Sequence, residues 1–149
     1  MSAFIVVYAS LTGNTEEMAD AVVEGIKQAG GTVTVKDILD ARAAELEGYD
    51  GIVLGAYTWG DGELPDEFLD FYEEMDELRL TGKIGAVFGS CDSSYAQYGA
   101  AVDLLTEKLQ SLGCTMQEGL KIELCPSAPE REACREFGRQ AVLRLQGAL

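Results

Sequence analysis

Three short stretches gather the residues able to bind and orient a ligand. The first, Ser10-Leu11-Thr12-Gly13-Asn14-Thr15, offers hydroxyls, an amide side chain and a glycine, with no lysine or arginine beside them. Such a loop, entering a helix from a strand, aims backbone N–H groups at one point, where the helix dipole favours an anion. The second, Tyr57-Thr58-Trp59-Gly60-Asp61-Gly62-Glu63-Leu64-Pro65, holds the only tryptophan, set among turn residues. Two glycines around Asp61 let the backbone reach positive φ cheaply. The third, Ser90-Cys91-Asp92-Ser93-Ser94-Tyr95-Ala96-Gln97-Tyr98, again projects aromatics from a polar loop. Asp92 can accept a hydrogen bond from a ring N–H, and Tyr95 can cover a planar ring. Each stretch alone also reads as ordinary structure: a capped helix start with Thr15 as the cap, a packed tryptophan, an Asx turn at Asp92.

The chain of 149 residues carries 26 acidic and 11 basic side chains, a net charge of -15. That surface repels nucleic acid and anionic lipid and favours basic protein partners. There is no histidine, and Cys91, Cys114, Cys125 and Cys134 form no C-x-x-C pair. Zinc sites, thioredoxin-like motifs and histidine-dependent triads are thereby disfavoured. Scattered thiols suit a reducing compartment. The start of the chain lacks a basic n-region, and its apolar run is short for a membrane span. A cytoplasmic monomer that binds neither membrane nor nucleic acid is expected.

The elements that would position these loops alternate to the end of the chain. Ala3–Ala9, Gly51–Tyr57 and Lys83–Gly89 are continuously apolar, as strands buried on both faces are. Thr32–Lys36 and Gly119–Cys125 alternate, with Val33 and Val35, and Leu120, Ile122 and Leu124, on one side; such strands sit at edges. Helical patterns span Thr15–Ala29, Pro65–Leu78, Gly99–Leu112 and Pro129–Leu145, the last with Ala133, Phe137 and Ala141 facing inward. Strict alternation predicts an α/β fold, a doubly wound five-stranded parallel sheet of order 2-1-3-4-5, in one domain over residues 1–149. The three loops then share the carboxyl end of the sheet beside its switch point, between the first and third strands. A phosphate cradle, two aromatic plates and an acceptor together fit a phosphorylated planar heterocycle. The missing P-loop lysine and G-x-G-x-x-G argue against a nucleoside triphosphate or a dinucleotide.

Ser-x-Thr-Gly-Asn-Thr, Thr-Trp-Gly-Asp-Gly-Glu-Leu-Pro and Asp-Ser-Ser-Tyr resemble the three FMN loops of the flavodoxins, in order and over nearly the whole chain. The length resembles the short-chain branch. The resemblance implies non-covalent FMN and an electron carrier, not a substrate-converting enzyme, working at low potential between redox partner proteins with basic docking faces. It implies that Ser10, Leu11, Thr12, Gly13, Asn14 and Thr15 hold the phosphate. Trp59 would stack on the inner ring face and Tyr95 on the outer. The Gly60-Asp61 peptide would answer the redox state, Asp92 would meet the pyrimidine edge, and Thr58, Ser90, Cys91 and Tyr98 would complete the lining. The chain departs from the pattern at Tyr57, where a small hydroxyl residue is common, and at Cys91, where glycine is common; the Cys91 thiol is expected near the flavin.

The alternative is a small FMN-dependent reductase of quinone or nitro type, which needs a substrate pocket and usually a nicotinamide site; no second nucleotide motif is present. A phospho-receiver domain shares the strand order but needs an acidic pair after the first strand and an aspartate at the third strand end. Ala9-Ser10 and Ala56-Tyr57 stand there instead.

Overall fold

A computed structural model describes residues 3–10, 13–58, 63–91, 99–123 and 126–147. The strands are β1 (Ala3–Tyr8), β2 (Thr32–Asp37), β3 (Gly51–Tyr57), β4 (Ile84–Cys91), β5 (Thr115–Met116) and β6 (Leu120–Glu123), and the helices α1 (Asn14–Gln28), α2 (Asp66–Glu74), α3 (Ala100–Ser111) and α4 (Ala128–Leu145). All pairings are parallel, in the order β2-β1-β3-β4-β5, with β6 also beside β4. The continuously apolar runs are the central strands, as their patterns require: β4 is buried along its whole length. Among the described residues no helix is long and apolar enough to cross a membrane.

Alternation along the central strands feeds two separate cores. Ile5, Val7, Ile52, Leu54 and Val87 face α2 and α3, meeting Phe68, Phe71, Met75, Leu105 and Leu109. Phe4, Val6, Val53, Ala86 and Phe88 face α1 and α4, meeting Met18, Val22, Ile26, Phe137 and Val142. Burying each large apolar side chain is worth roughly 1.5–3 kcal/mol, so the two cores hold the sheet from both sides. Two glycines make room on the α1/α4 side. A Cβ on Gly51 would stand 2.1 Å from the Phe4 ring, and one on Gly55 would stand 2.3 Å from the Phe88 ring. Each ring belongs to the residue directly across the ladder, so it lies over bare backbone.

The edges depart from the simple pattern. The expected fifth strand, Gly119–Cys125, is found as β6, and a short additional segment, β5, precedes it across residues 117–119. β5 pairs with Ile84 and Gly85, and β6 with Phe88 to Cys91. The break coincides with Gln117, whose side chain is buried and whose Nε2 donates to the Phe137 carbonyl of α4 at 3.2 Å. The five positions are thus filled by six strand segments, and Leu124 and Cys125 lie outside the described residues. In α4 the inward face is Cys134, Phe137, Gly138, Ala141 and Val142. Ala133, expected inward, is exposed, because the stripe that meets α1 begins one residue later.

That α1–α4 contact is made at backbone level. A Cβ on Gly25 would lie 1.9 Å from the Arg135 carbonyl oxygen, and one on Gly138 would lie 2.2 Å from the Val22 carbonyl oxygen. Neither obstacle is a flexible side chain, so an added methyl forces the helices apart. Gly138→Ala is therefore expected to destabilise by about 1–3 kcal/mol through overpacking, outweighing the roughly 1 kcal/mol that alanine gains over glycine in a helix. Urea unfolding of the variant measures this; an unchanged or raised midpoint would show that the helices can separate freely.

Candidate functional site

The carboxyl ends of β1, β3 and β4 lie side by side, and the first loop begins there. The Ala9 amide donates to the Gly55 carbonyl at 2.9 Å and carries the ladder one residue beyond β1. Ser10 then turns the chain into α1. Its Oγ accepts from the Gly13 amide at 3.0 Å and from the Glu16 amide at 3.3 Å. Gly13 occupies the cap position with φ near 90°, a left-handed conformation that favours glycine. A Cβ there would meet nothing within 4 Å, so conformation and not crowding selects the residue. Thr15 is not the cap; Ser10 supplies the side-chain oxygen from outside the helix.

This start leaves the next amides open. The backbone N–H groups of Asn14 and Thr15 have no acceptor among the described residues. They stand at the positive end of the helix dipole. The Thr15 side chain, 1% exposed, turns instead to β4, where Thr15 Oγ1 and Ser90 Oγ lie 2.8 Å apart. This bond joins the first loop to the end of β4 across 75 residues of sequence. At the end of β3, Thr58 Oγ1 accepts from the Ala101 amide at 3.2 Å, fixing the start of α3. No lysine or arginine among the described residues hydrogen-bonds to Ser10, Gly13, Asn14, Thr15, Thr58 or Ser90.

The two departures from the family pattern acquire local explanations. The Tyr57 hydroxyl donates to Glu67 Oε1 of α2 at 2.7 Å, and its ring packs against the α2/α3 core. Burial, then the Glu67 carboxylate, hold that phenol strongly in its neutral form. Cys91 is 4% exposed, and its thiol donates to the Gly89 carbonyl of its own strand at 3.6 Å. Cys91, Cys114 and Cys134 are buried, and burial pushes the Cys114 and Cys134 thiols up to about 11, far from nucleophilic at neutral pH.

Of the sequence-predicted ligand residues, Ser10, Gly13, Asn14, Thr15, Thr58, Ser90 and Cys91 are thus gathered at one end of the sheet. Leu11, Thr12, Trp59, Gly60, Asp61, Asp92, Tyr95 and Tyr98 lie outside the described residues. The Thr15–Ser90 pairing was not foreseen; a serine interrupting an otherwise apolar central strand was its only signal.

A doubly wound sheet of this order, with an open helix start at its switch point, defines an α/β protein of the flavodoxin-like class. The comparisons make that class a family. The family described as Flavodoxin matches residues 6–138. "Probable flavodoxin 2" of Bacillus subtilis (strain 168) is 43% identical over 94% of each chain. The flavodoxin of Maridesulfovibrio salexigens is 37% identical over 93% of this chain and 95% of that one. The crystal structure of oxidised flavodoxin 1 from Bacillus cereus superposes with a TM-score of 0.92 at 54% identity, covering 95% of this chain and 97% of that chain. The chain belongs to the flavodoxin family, whose members bind a flavin and transfer electrons with redox partner proteins and are not substrate-converting enzymes.

One consequence of the site is readable in alkaline solution. The Tyr8 hydroxyl, at the end of β1, donates to Glu16 Oε2 at 3.2 Å. Burial first, then Glu16, then Asp37 and Asp20, push its pKa from 10.0 to about 12. The neutral phenol is favoured in the folded state, so its contribution is complete below the unfolded value and is lost as the pH climbs toward the folded one. The stability of wild type relative to Tyr8→Phe is expected to fall between about pH 10 and about pH 12. Urea midpoints of both proteins across that range check it; a constant or widening difference would contradict the assignment.

Proposed function

We propose that this chain is a low-potential carrier that holds one FMN non-covalently and moves single electrons between redox partner proteins. The observation that carries the reading is the start of α1, where two amides have no acceptor among the described residues, beside a neutral set of hydroxyls. That donor set fits a phosphate monoester. A dianion only accepts hydrogen bonds, and every group offered here can donate. Neutral donors at a helix start hold a phosphate without a lysine. When bound, FMN supplies the exchange of electrons one at a time.

The remaining roles belong to this chain's residues. Ser10, Leu11, Thr12, Gly13, Asn14 and Thr15 cradle the phosphate. Trp59 and Tyr95 cover the two faces of the ring, the Gly60-Asp61 peptide turns to meet it, and Asp92 accepts from its pyrimidine edge. Thr58, Ser90, Cys91 and Tyr98 complete the lining. Residues 1–149 form a single FMN-binding domain, monomeric and cytoplasmic. The buried thiols of Cys114 and Cys134 suit a reducing compartment. The charge of -15 favours redox partners with basic docking faces and disfavours nucleic acid and membrane surfaces.

If the cradle is central, the apoprotein binds FMN at least about tenfold more tightly than riboflavin, because several charge-assisted hydrogen bonds of roughly 1.5–3 kcal/mol each depend on the phosphate. Fluorescence titration with both ligands decides it, and equal dissociation constants would sink the reading.

A second expectation concerns charge. The second one-electron step adds a negative charge to an already acidic protein, and salt screens that repulsion over a Debye length of about 10 Å at about 0.1 M. Its midpoint potential should become less negative as ionic strength rises. The first step takes up a proton with its electron and should move less. Spectroelectrochemical titration in low and high salt at fixed pH compares the two; equal shifts would show that something other than the acidic surface sets the low potential.

A further inference from the structure

Among the described residues three polar side chains are buried: Thr15, Ser90 and Gln117. Two of these bond to each other, at 2.8 Å, between the first turn of α1 and the carboxyl end of β4. Either hydroxyl could donate in that pair. The direction matters, because each hydroxyl has one hydrogen. If Thr15 donates to Ser90, its hydrogen is spent inside the protein. If Ser90 donates to Thr15, the Thr15 hydrogen is free to leave the pair. An anion at the helix start accepts only, so a Thr15 hydroxyl that touches it must donate outward, and its oxygen then needs a donor behind it. Ser90 is the donor within reach.

Resting on the FMN reading above, we propose that Ser90 is a positioning residue for the phosphate and not a direct contact: its hydroxyl donates to Thr15 Oγ1, fixes the Thr15 rotamer and frees the Thr15 hydrogen for a phosphate oxygen. The relay runs Ser90 O–H to Thr15 Oγ1, then Thr15 O–H to the anion. Each bond in such a chain polarises the next, which strengthens a neutral donor facing a charge. It also gives a site without lysine or arginine a stronger contact than an isolated hydroxyl would make. Ser90 is suited to this because it sits in the best-buried strand of the sheet, paired across the ladder with Tyr57, where its own position is fixed.

The test measures dissociation constants of the apoprotein for FMN and for riboflavin in wild type, Ser90→Ala, Thr15→Val and the double variant, with the urea midpoint of each apoprotein alongside. The proposal expects Ser90→Ala to reduce the preference for FMN over riboflavin by about three- to tenfold. Ser90→Ala should then have no further effect on that preference in the Thr15→Val background. Ser90→Cys, close in size and a weaker donor, should give an intermediate preference and keeps the test standing if the alanine variant does not fold. A Ser90→Ala protein of lowered midpoint that keeps the wild-type preference would overturn the proposal and leave the pair as a structural staple. Additive losses in the double variant would overturn it too, by showing that Ser90 acts independently of Thr15. If wild type itself binds FMN and riboflavin equally, the phosphate reading fails first, and this proposal fails with it.

Discussion

On the FMN reading, the start of α1 has to meet two demands that oppose each other: its amides must be held rigidly, and they must stay without an acceptor in the protein. A helix N-terminus ordinarily satisfies its first N–H groups with its own cap side chain. Here the cap is Gly13, which has no side chain to offer. Ser10, three residues upstream, instead accepts from Gly13 and Glu16 and closes the turn around the loop. Asn14 and Thr15, between those two anchors, have no acceptor for their amides among the described residues. Rigidity then has to come from outside the loop, and the Thr15–Ser90 bond supplies it from the neighbouring sheet.

The rest of the fold is arranged so that this anchoring works. Ser90 is fixed because β4 is buried on both faces, and that burial needs two layers of helices. α1 is fixed because α4 lies against it with bare backbone at Gly25 and Gly138. The rings of Phe4 and Phe88 reach across bare backbone at Gly51 and Gly55, which lets aromatic bulk fill the same layer without spreading the strands. An error in any of these glycines shifts α1 as a body, and the open amides move with it.

Much of this was legible in the residues, and the exceptions have physical causes. The central strands and all four helices declare themselves through period alone, because burial on one or both faces leaves little freedom in the pattern. Order 2-1-3-4-5 follows from which strands are continuously apolar. The fifth strand shows itself at Leu120, Ile122 and Leu124, which alternate cleanly, while the additional segment Thr115–Met116 is too short to carry a period. Gln117 between them belongs to the core through a hydrogen bond to α4, which no hydropathy pattern encodes. The helical period puts Ala133 inward, whereas the buried stripe of α4 starts at Cys134. At the site, hydroxyl-rich composition revealed donors, but not that Ser10 faces back toward its own helix or that Thr15 meets Ser90. Those depend on which rotamer the packed neighbours permit. Tyr57 departs from the family pattern, and the structure gives its hydroxyl a different partner, Glu67.

Charge sets the other half of the account. On the FMN reading, a protein of net charge -15 holds the phosphate through directed dipoles, since its long-range field opposes the ligand. Directed donors act only at contact, so their effect is local to the atoms they touch. Proton–nitrogen correlation spectra of the isotope-labelled apoprotein, recorded before and after adding FMN or riboflavin, read those atoms directly. The account predicts that the Asn14 and Thr15 amide protons move downfield with FMN and stay near their apoprotein positions with riboflavin. Unchanged Asn14 and Thr15 resonances on saturation with FMN would contradict it.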